Sequence, residues 1–466
     1  MQKNPLVEML DDAPFTGRFW TVYILLCLAF ALDFFDFYLV GFLVSKLGTQ
    51  WHLTYLQSSI MLLAGGVGSI VGAILLAPIA DAWGRRNILV VSTFICGISS
   101  VAMAGSPEGN WALFAMFRFF VGIGIGGMAA VVAVLAVEMM PTRHRSYLAG
   151  LPFVFASVGT MIAAFVSATL MAALGWRGLA VLGAAPIVVT VGTMALMPES
   201  PLWLLTKGRT EAARASMARL LDQSVQQMPP ARPVLVQKPN ASLIEAFSPP
   251  LRALVTFLIW AGSATANYGV YLWGPTVVAM LLHIDTGAAA AYFVFISAAG
   301  IIGRIGFAFL PIWMGRRWAG AIGGLGVAIT IGCSALVGAS TMGGIPTFVI
   351  LLTVAALFFD GVFSILSPYT AEIFPVRLSS RGMALGQISN GVGKIAGPLV
   401  LAMIAGANNL VAPKATIEAV VPAFMFLAAC GLAACIGFLI GPDSTRGSLH
   451  LGDEAEEKRE ESRSVA

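Results

Sequence analysis

Charged residues are scarce in this sequence. They make up 11% of its 466 residues, against roughly 25% in an ordinary soluble domain, which excludes a soluble globular protein. No basic stripe runs outside the short loops between apolar stretches, so a nucleic-acid partner is not expected. The five cysteines (Cys27, Cys96, Cys333, Cys430 and Cys435) lie inside apolar runs and none forms a CxxC pair. They read as small core residues, not as a disulfide framework or a metal site. The four histidines, His52, His144, His283 and His450, are far apart, so no metal centre is expected either. No nucleophile–base constellation stands out, which argues against an enzyme. Residues 1–18 are polar and carry Glu8, Asp11 and Asp12. They lack the basic segment and short apolar core of a cleaved signal peptide, so the first apolar run is expected to be retained.

Apolar residues fill the space that charge leaves, at 58% of the chain. Runs of about 18 or more are candidates to span a bilayer. Twelve are present: 19–47, 54–77, 88–105, 110–138, 146–173, 177–197, 252–281, 286–310, 318–339, 345–370, 382–404 and 418–441; they are called spans 1 to 12 below. Arg85, Arg86, Arg143, Arg145, Arg316, Arg317, Arg377, Arg381 and the basic residues of the long break fall in loops on one side. Lys46, Arg177 and Lys414 fall on the other. That asymmetry predicts that both termini are cytoplasmic. The expected division is a cytoplasmic segment 1–18, a six-helix bundle 19–197, a proline-rich cytoplasmic loop 198–251 with a helical piece near 211–227, a second bundle 252–441 and a disordered cytoplasmic tail 442–466.

The halves repeat weakly. Asp81-Ala-Trp-Gly84-Arg85-Arg86 follows span 2, and Ile312-Trp-Met-Gly315-Arg316-Arg317 follows span 8, 231 residues later. Glu138-Met-Met-Pro-Thr-Arg143 ends span 4, and Glu372-Ile-Phe-Pro-Val-Arg377 ends span 10, 234 residues later. Two motifs at nearly one offset predict a duplicated six-span unit. Such a plan, with a substrate site at the junction of the halves, is that of secondary transporters.

Span 1 carries Asp33 and Asp36 in mid-membrane. Their i, i+3 spacing puts both on one helix face, and each costs about 2.5–3.5 kcal/mol at that depth. Three readings follow. A carboxyl out of water favours its neutral form and can carry a proton through a transport cycle. Alternatively the pair meets a cationic substrate, or forms a structural ion pair with Arg118, which lies at a similar depth in span 4. Asp360, mid-span in 10, is a second proton site, a substrate contact or a partner for Lys394 in span 11. Arg304, nearer the end of span 8, can snorkel and is assigned no role. In span 7, Asn267, Tyr268, Tyr271 and Trp273 offer hydrogen bonds and aromatic faces to a ligand, and Gly274-Pro275 suggests a local break or hinge. Gln387, Asn390 and Lys394 of span 11 are further candidates for the substrate site, and Phe37 and Tyr38 make the face beside the acid pair aromatic. The GxGxxG at Gly122–Gly127 follows no strand, so close helix packing accounts for it better than a dinucleotide site.

Asp81-x-x-Gly84-Arg85-Arg86, Arg118-x-x-x-Gly122-x-Gly124-x-Gly126-Gly127 and Pro198-Glu199-Ser200-Pro201-Leu202-Trp203-Leu204 stand in the order found in the major facilitator superfamily, which the chain resembles over essentially its whole length. Ala77 stands where the first motif has a leading Gly, and Leu202 where the last has Arg. The resemblance implies an all-α membrane protein of twelve transmembrane helices in two pseudo-symmetric six-helix halves. It also implies that spans 1 and 4 face the cavity. The loop charges Asp81, Arg85, Arg86, Glu138, Arg143, Glu372 and Arg377, with Gly84 at the turn, would then latch the inner side closed. Charge-assisted bonds between Asp81 and Arg85 and Arg86, and between the two glutamates and neighbouring loop arginines, are the expected contacts. The acid pair resembles the Asp-Gly-x-Asp of the aromatic acid:proton symporters, with Phe34 in place of Gly.

The expected function is proton-coupled uptake of a small organic solute, an aromatic or other organic acid, by a carrier of the cytoplasmic membrane. It would work as a monomer with no cofactor beyond the coupling proton, and Arg118 would tune the acid pair and attract an anion. An organic-cation or sugar/polyol carrier using the span 1 carboxylates as counter-charge is the alternative, and a non-transporting receptor a remote one.

Overall fold

The computed structural model describes residues 5–11, 13–141, 151–233, 245, 247–248, 250–375 and 378–443. Among these, helices carry almost everything. A hairpin of two-residue strands, Thr341–Met342 against Ile345–Pro346, joins spans 9 and 10. Spans 1 to 4 are the helices Gly17–Gln50, Tyr55–Trp83, Arg85–Ala104 and Trp111–Glu138. Spans 7 to 12 are Pro250–Leu281, Thr286–Phe309, Pro311–Val337, Thr347–Ile373, Ser379–Ile404 and Pro413–Ile440.

Spans 5 and 6 run into one another. The helical stretch Val154–Leu196 is 43 residues long, or about 65 Å at 1.5 Å per residue, twice the ~30 Å of a bilayer's hydrocarbon. It crosses twice because it breaks at Gly175 (φ 64°, ψ −176°). A second interruption precedes Pro186, which has no N–H and opens the helix Pro186–Leu196. There Ala184, Ala185, Ile187 and Val188 donate to carbonyls three residues back, a tighter turn that carries the chain through. This inner break of span 6 is not visible as a gap in hydrophobicity. Span 11 is less apolar than the other crossing helices, because Arg381, Gln387, Asn390 and Lys394 lie in it, but its 26 residues reach far enough to cross. Large apolar side chains such as Phe165, Val188, Phe295, Ile302 and Leu336 are exposed, as lipid-facing surfaces require.

Contacts divide the chain into two compact units, residues 1–238 with 285–294, and residues 239–284 with 295–466. Inside each half the same pairs of helices pack. Span 1 packs on span 5 as span 7 packs on span 11, and span 3 packs on span 6 as span 9 packs on span 12. The repeat reaches the backbone. Gly84 (φ 116°) and Gly315 (φ 78°) both take the left-handed region between two helix segments. His52 (φ 51°) and His283 (φ 53°) also share that conformation just beyond spans 1 and 7, 231 residues apart. A histidine there is uncommon but tolerated.

In the first half, spans 2 and 4 meet backbone to backbone. A Cβ on Gly68 would lie 2.1 Å from the Phe119 carbonyl oxygen, one on Gly72 2.1 Å from that of Ile123, and one on Gly126 2.0 Å from that of Ser69. The glycine run of span 4 is therefore a packing seam, as the sequence predicts. Near the chain start, the short helix Pro5–Asp11 buries Leu6 and Leu10 in the same cluster as Met217, Leu220 and Leu221 of the loop helix Thr210–Leu221. That helix ends at Asp222 in the left-handed conformation, ahead of a single 3-10 turn at Val225–Gln227. The helical piece of the long loop is thus shorter than expected.

Candidate functional site

Asp33 and Asp36 are both buried in span 1, and Asp36 makes the ion pair. Its Oδ2 accepts from Arg118 Nη1 at 2.5 Å and its Oδ1 from Ser100 Oγ of span 3 at 2.9 Å. Arg118 Nη2 donates to the Phe37 carbonyl at 2.8 Å, and the guanidinium lies 5.6 Å from the Phe37 ring centroid. Span 2 makes the room. A Cβ on Gly65 would sit 3.0 Å from Arg118 Nε, and one on Gly122 2.2 Å from the Gly65 carbonyl oxygen. The glycine seam thus lets a full-length arginine enter the bundle with no exposed surface. Span 6 closes the site at Gly183, whose Cβ would lie 2.6 Å from Asp36 Oδ1. An isolated charge here would be strongly disfavoured, and the paired, hydrogen-bonded arrangement offsets that cost. Phe37 and Tyr38 are buried, with their rings edge to face.

The second half holds another buried pair. Asp360 of span 10 takes Arg304 of span 8 as its ion-pair partner, with Nη2 3.3 Å from Oδ1. Tyr271 Oη donates to Oδ2 at 2.7 Å and Asn267 Nδ2 to Oδ1 at 3.3 Å, both from span 7. This corrects two expectations. Arg304 does not snorkel; it is 6% exposed. Asp360 is paired with Arg304, and Lys394, half-buried in span 11, has its Nζ 5.6 Å from the Tyr268 ring centroid. Span 7 also runs unbroken through Gly274-Pro275, so the expected break is absent. Asn267, Tyr268, Tyr271 and Trp273 are all buried, and Trp273 Nε1 donates to the Pro398 carbonyl of span 11 at 3.2 Å. Trp273 therefore joins two helices. Asn390 is half-buried and Gln387 exposed.

The loop charges form a cluster in each half. Arg85 bridges Asp81 at 3.1 Å and Glu138 at 3.3 Å, and Arg316 pairs with Glu372 in the corresponding place. Arg86 does not join Asp81. Its Nη2 donates to the Met194 carbonyl at 2.7 Å and its Nε to the Thr193 carbonyl at 3.3 Å, capping the end of span 6. Arg143 and Arg377 lie outside the described residues.

Glu199 and Ser200 were not among the candidates and prove central to the first cluster. Glu199 Oε1 accepts from the backbone N–H of Arg86 at 3.0 Å and of Ser200 at 2.9 Å, so a carboxylate from after span 6 caps the start of span 3. Ser200 Oγ donates to Glu138 Oε2 at 2.5 Å and accepts from Trp203 N at 3.1 Å. Gly84 is required twice, by its positive φ and because a Cβ there would lie 2.2 Å from Glu199 Oε2. The signal is the Pro198–Leu204 motif itself, which sets a carboxylate and a hydroxyl side by side just after span 6.

Residues 14–448 match the family described as "Sugar (and other) transporter". The chain belongs to that family. Among the relatives of this transporter is the niacin transporter NiaP of Acinetobacter baylyi, 26% identical over 409 residues that cover 85% of this chain and 89% of the relative. The 4-hydroxybenzoate transporter PcaK of the same organism is 26% identical over 409 residues, 86% of this chain and 88% of its own. Among solved structures, the inward-open xylose transporter XylE of E. coli superposes with a TM-score of 0.71 at 16% identity, over 92% of this chain and 98% of that one. An identity that low speaks for the fold alone, and the fold is the twelve-helix major facilitator fold. The chain is thus a multi-pass membrane transporter of small substrates and not an enzyme.

Proposed function

We propose that the transporter takes up a small organic acid, most simply a planar aromatic one, together with protons by alternating access. The buried Asp36–Arg118–Ser100 cluster carries this reading. An acid held in a dry helix bundle against an arginine can exchange that partner for a proton, and the exchange changes what the bundle can tolerate on either side. The relatives named for niacin and 4-hydroxybenzoate support the solute class, since both are aromatic carboxylates. Because Arg118 is spent on Asp36 and the Phe37 carbonyl, its role in this reading is charge partner to the acid and not hook for the solute. The carrier lies in the cytoplasmic membrane with both termini inside, acts as a monomer, and needs no cofactor but the proton. Glu138–Arg85 and Glu372–Arg316 serve as the inner latch.

The test is uptake into proteoliposomes of labelled 4-hydroxybenzoate, nicotinate, xylose and a quaternary amine, with and without an acidic exterior. Gradient-driven accumulation of the two acids alone is expected. Uptake of the sugar or the amine in their place would favour the counter-charge reading, and acid uptake indifferent to the gradient would sink symport.

A further inference from the structure

We propose that Asp360 is a second proton site, worked by span 7, so that each half of the transporter carries its own proton. This rests on the proton-coupled reading above, but on different residues. The groups facing Asp360 are Arg304 from span 8 and Tyr271 and Asn267 from span 7. All four side chains are buried. Gly300 of span 8 clears the space for the carboxylate, since a Cβ there would lie 2.2 Å from Asp360 Oδ2 and 3.2 Å from Tyr271 Oη. The edge of the Tyr271 ring against Phe359 (centroids 5.3 Å apart, 82° between planes) ties span 7 to span 10 at the same level.

The arrangement is built to be broken at one place. Pro275 lies inside span 7 and has no N–H to give to the carbonyl four residues back, which is that of Tyr271. The helix is therefore most pliable where it delivers the Tyr271 hydroxyl to Asp360. A bend there withdraws Tyr271 and, one turn earlier, Asn267. The carboxylate would then keep Arg304 and lose two of its three donors in a medium without water. An under-satisfied buried carboxylate costs several kcal/mol, and a proton from the water of the open side removes that cost. When span 7 straightens on the other side, Tyr271 and Asn267 return and the proton leaves to that side's water. The only covalent change is one O–H bond: Asp360 takes a proton from hydronium on the open side, leaving water, and gives it back to water on the other side, while Arg304 alternates between paired and released.

The site differs in kind from the one in the first half. At Asp36 the hydroxyl donor is Ser100, on a helix with no internal proline. At Asp360 the hydroxyl donor sits on the proline-weakened helix. Movement of span 7 is thus coupled to the charge of Asp360 by the hydrogen bonds from Tyr271 and Asn267.

The decisive measurement needs no knowledge of the solute. The full-length protein in lipid vesicles is titrated between acid and alkaline pH and followed by infrared difference spectroscopy in the carboxylic-acid C=O region. Of the bands from the buried carboxyls Asp33, Asp36 and Asp360, two are followed. One is lost in Asp360→Asn and kept in Asp36→Asn, and the other behaves in the opposite way. In Tyr271→Phe, which keeps every charge, the carboxylate has lost a donor that the acid form lacks in either protein, so the Asp360 band appears at a higher pH than in wild type. If the spectra of wild type and Asp360→Asn are the same, the second site is overturned while the reading of Asp36 stands. If only the Asp36 band is missing from wild type, the reading of Asp36 fails and the second site stands. Should Asp360→Asn not fold, the Tyr271→Phe titration decides, and an Asp360 band with the wild-type pH dependence overturns the proposal.

Discussion

The two halves repeat their scaffold and not their chemistry. Gly84 and Gly315 share a backbone conformation, Arg85–Glu138 and Arg316–Glu372 form equivalent loop pairs, and His52 and His283 end equivalent helices. The buried pairs are set differently. In the first half the acid is on the first helix and the arginine on the fourth; in the second half the acid is on the fourth helix and the arginine on the second. The first pair depends on a glycine seam, a 2.5 Å contact between Arg118 and Asp36 and one hydroxyl donor, Ser100. The second surrounds its acid with three donors from two helices. A duplicated frame fixes where helices meet, and the polar residues placed at those meetings are free to differ.

That contrast can be broken by removing one arginine at a time. Arg118→Gln should cost about 3–5 kcal/mol, the range for leaving a buried charge without its partner, read as a loss of unfolding free energy in detergent. The double variant Asp36→Asn, Arg118→Gln should recover part of it. Arg304→Gln should cost less, about 1.5–3 kcal/mol, the range for one hydrogen bond to a charged group, because Asp360 keeps two donors, Tyr271 and Asn267, where Asp36 would keep Ser100 alone. Equal losses for the two arginines would end the distinction between the pairs. Gly300→Ala sharpens it further. Its new methyl would press on Asp360 and should cost about 1–3 kcal/mol by overpacking. Smallest of all, Asp81→Asn should change stability by less than about 1 kcal/mol, since the Asp81 side chain is 75% exposed. Glu138→Gln, at the less exposed end of the same Arg85 bridge, should cost more.

Much of this was legible in the sequence for physical reasons. Crossing helices announce themselves because lipid tolerates no charge. The two loop motifs showed the duplication because one sets a glycine turn before its arginines and the other a glutamate, a proline and an arginine at one spacing. Asp36 with Arg118 could be matched because both are charges at a similar depth. Arg304 was misread because depth alone cannot tell snorkelling from pairing; the outcome depends on Asp360 in another helix, 56 residues along the chain. Glu199 was missed because its role, capping a helix more than 100 residues away, follows from how the loop folds back and leaves no mark in periodicity. The His52 and His283 repeat was present at the 231-residue offset, but a lone histidine carries no pattern until its backbone conformation is seen.

The central claim is that a proton on the Asp36 cluster drives uptake. It is tested most directly by comparing two assays on Asp36→Asn in proteoliposomes with labelled 4-hydroxybenzoate. One is accumulation under an acidic exterior; the other is exchange against unlabelled solute with no gradient. The account predicts that exchange survives and accumulation is lost. Accumulation equal to wild type, with exchange intact, would contradict it.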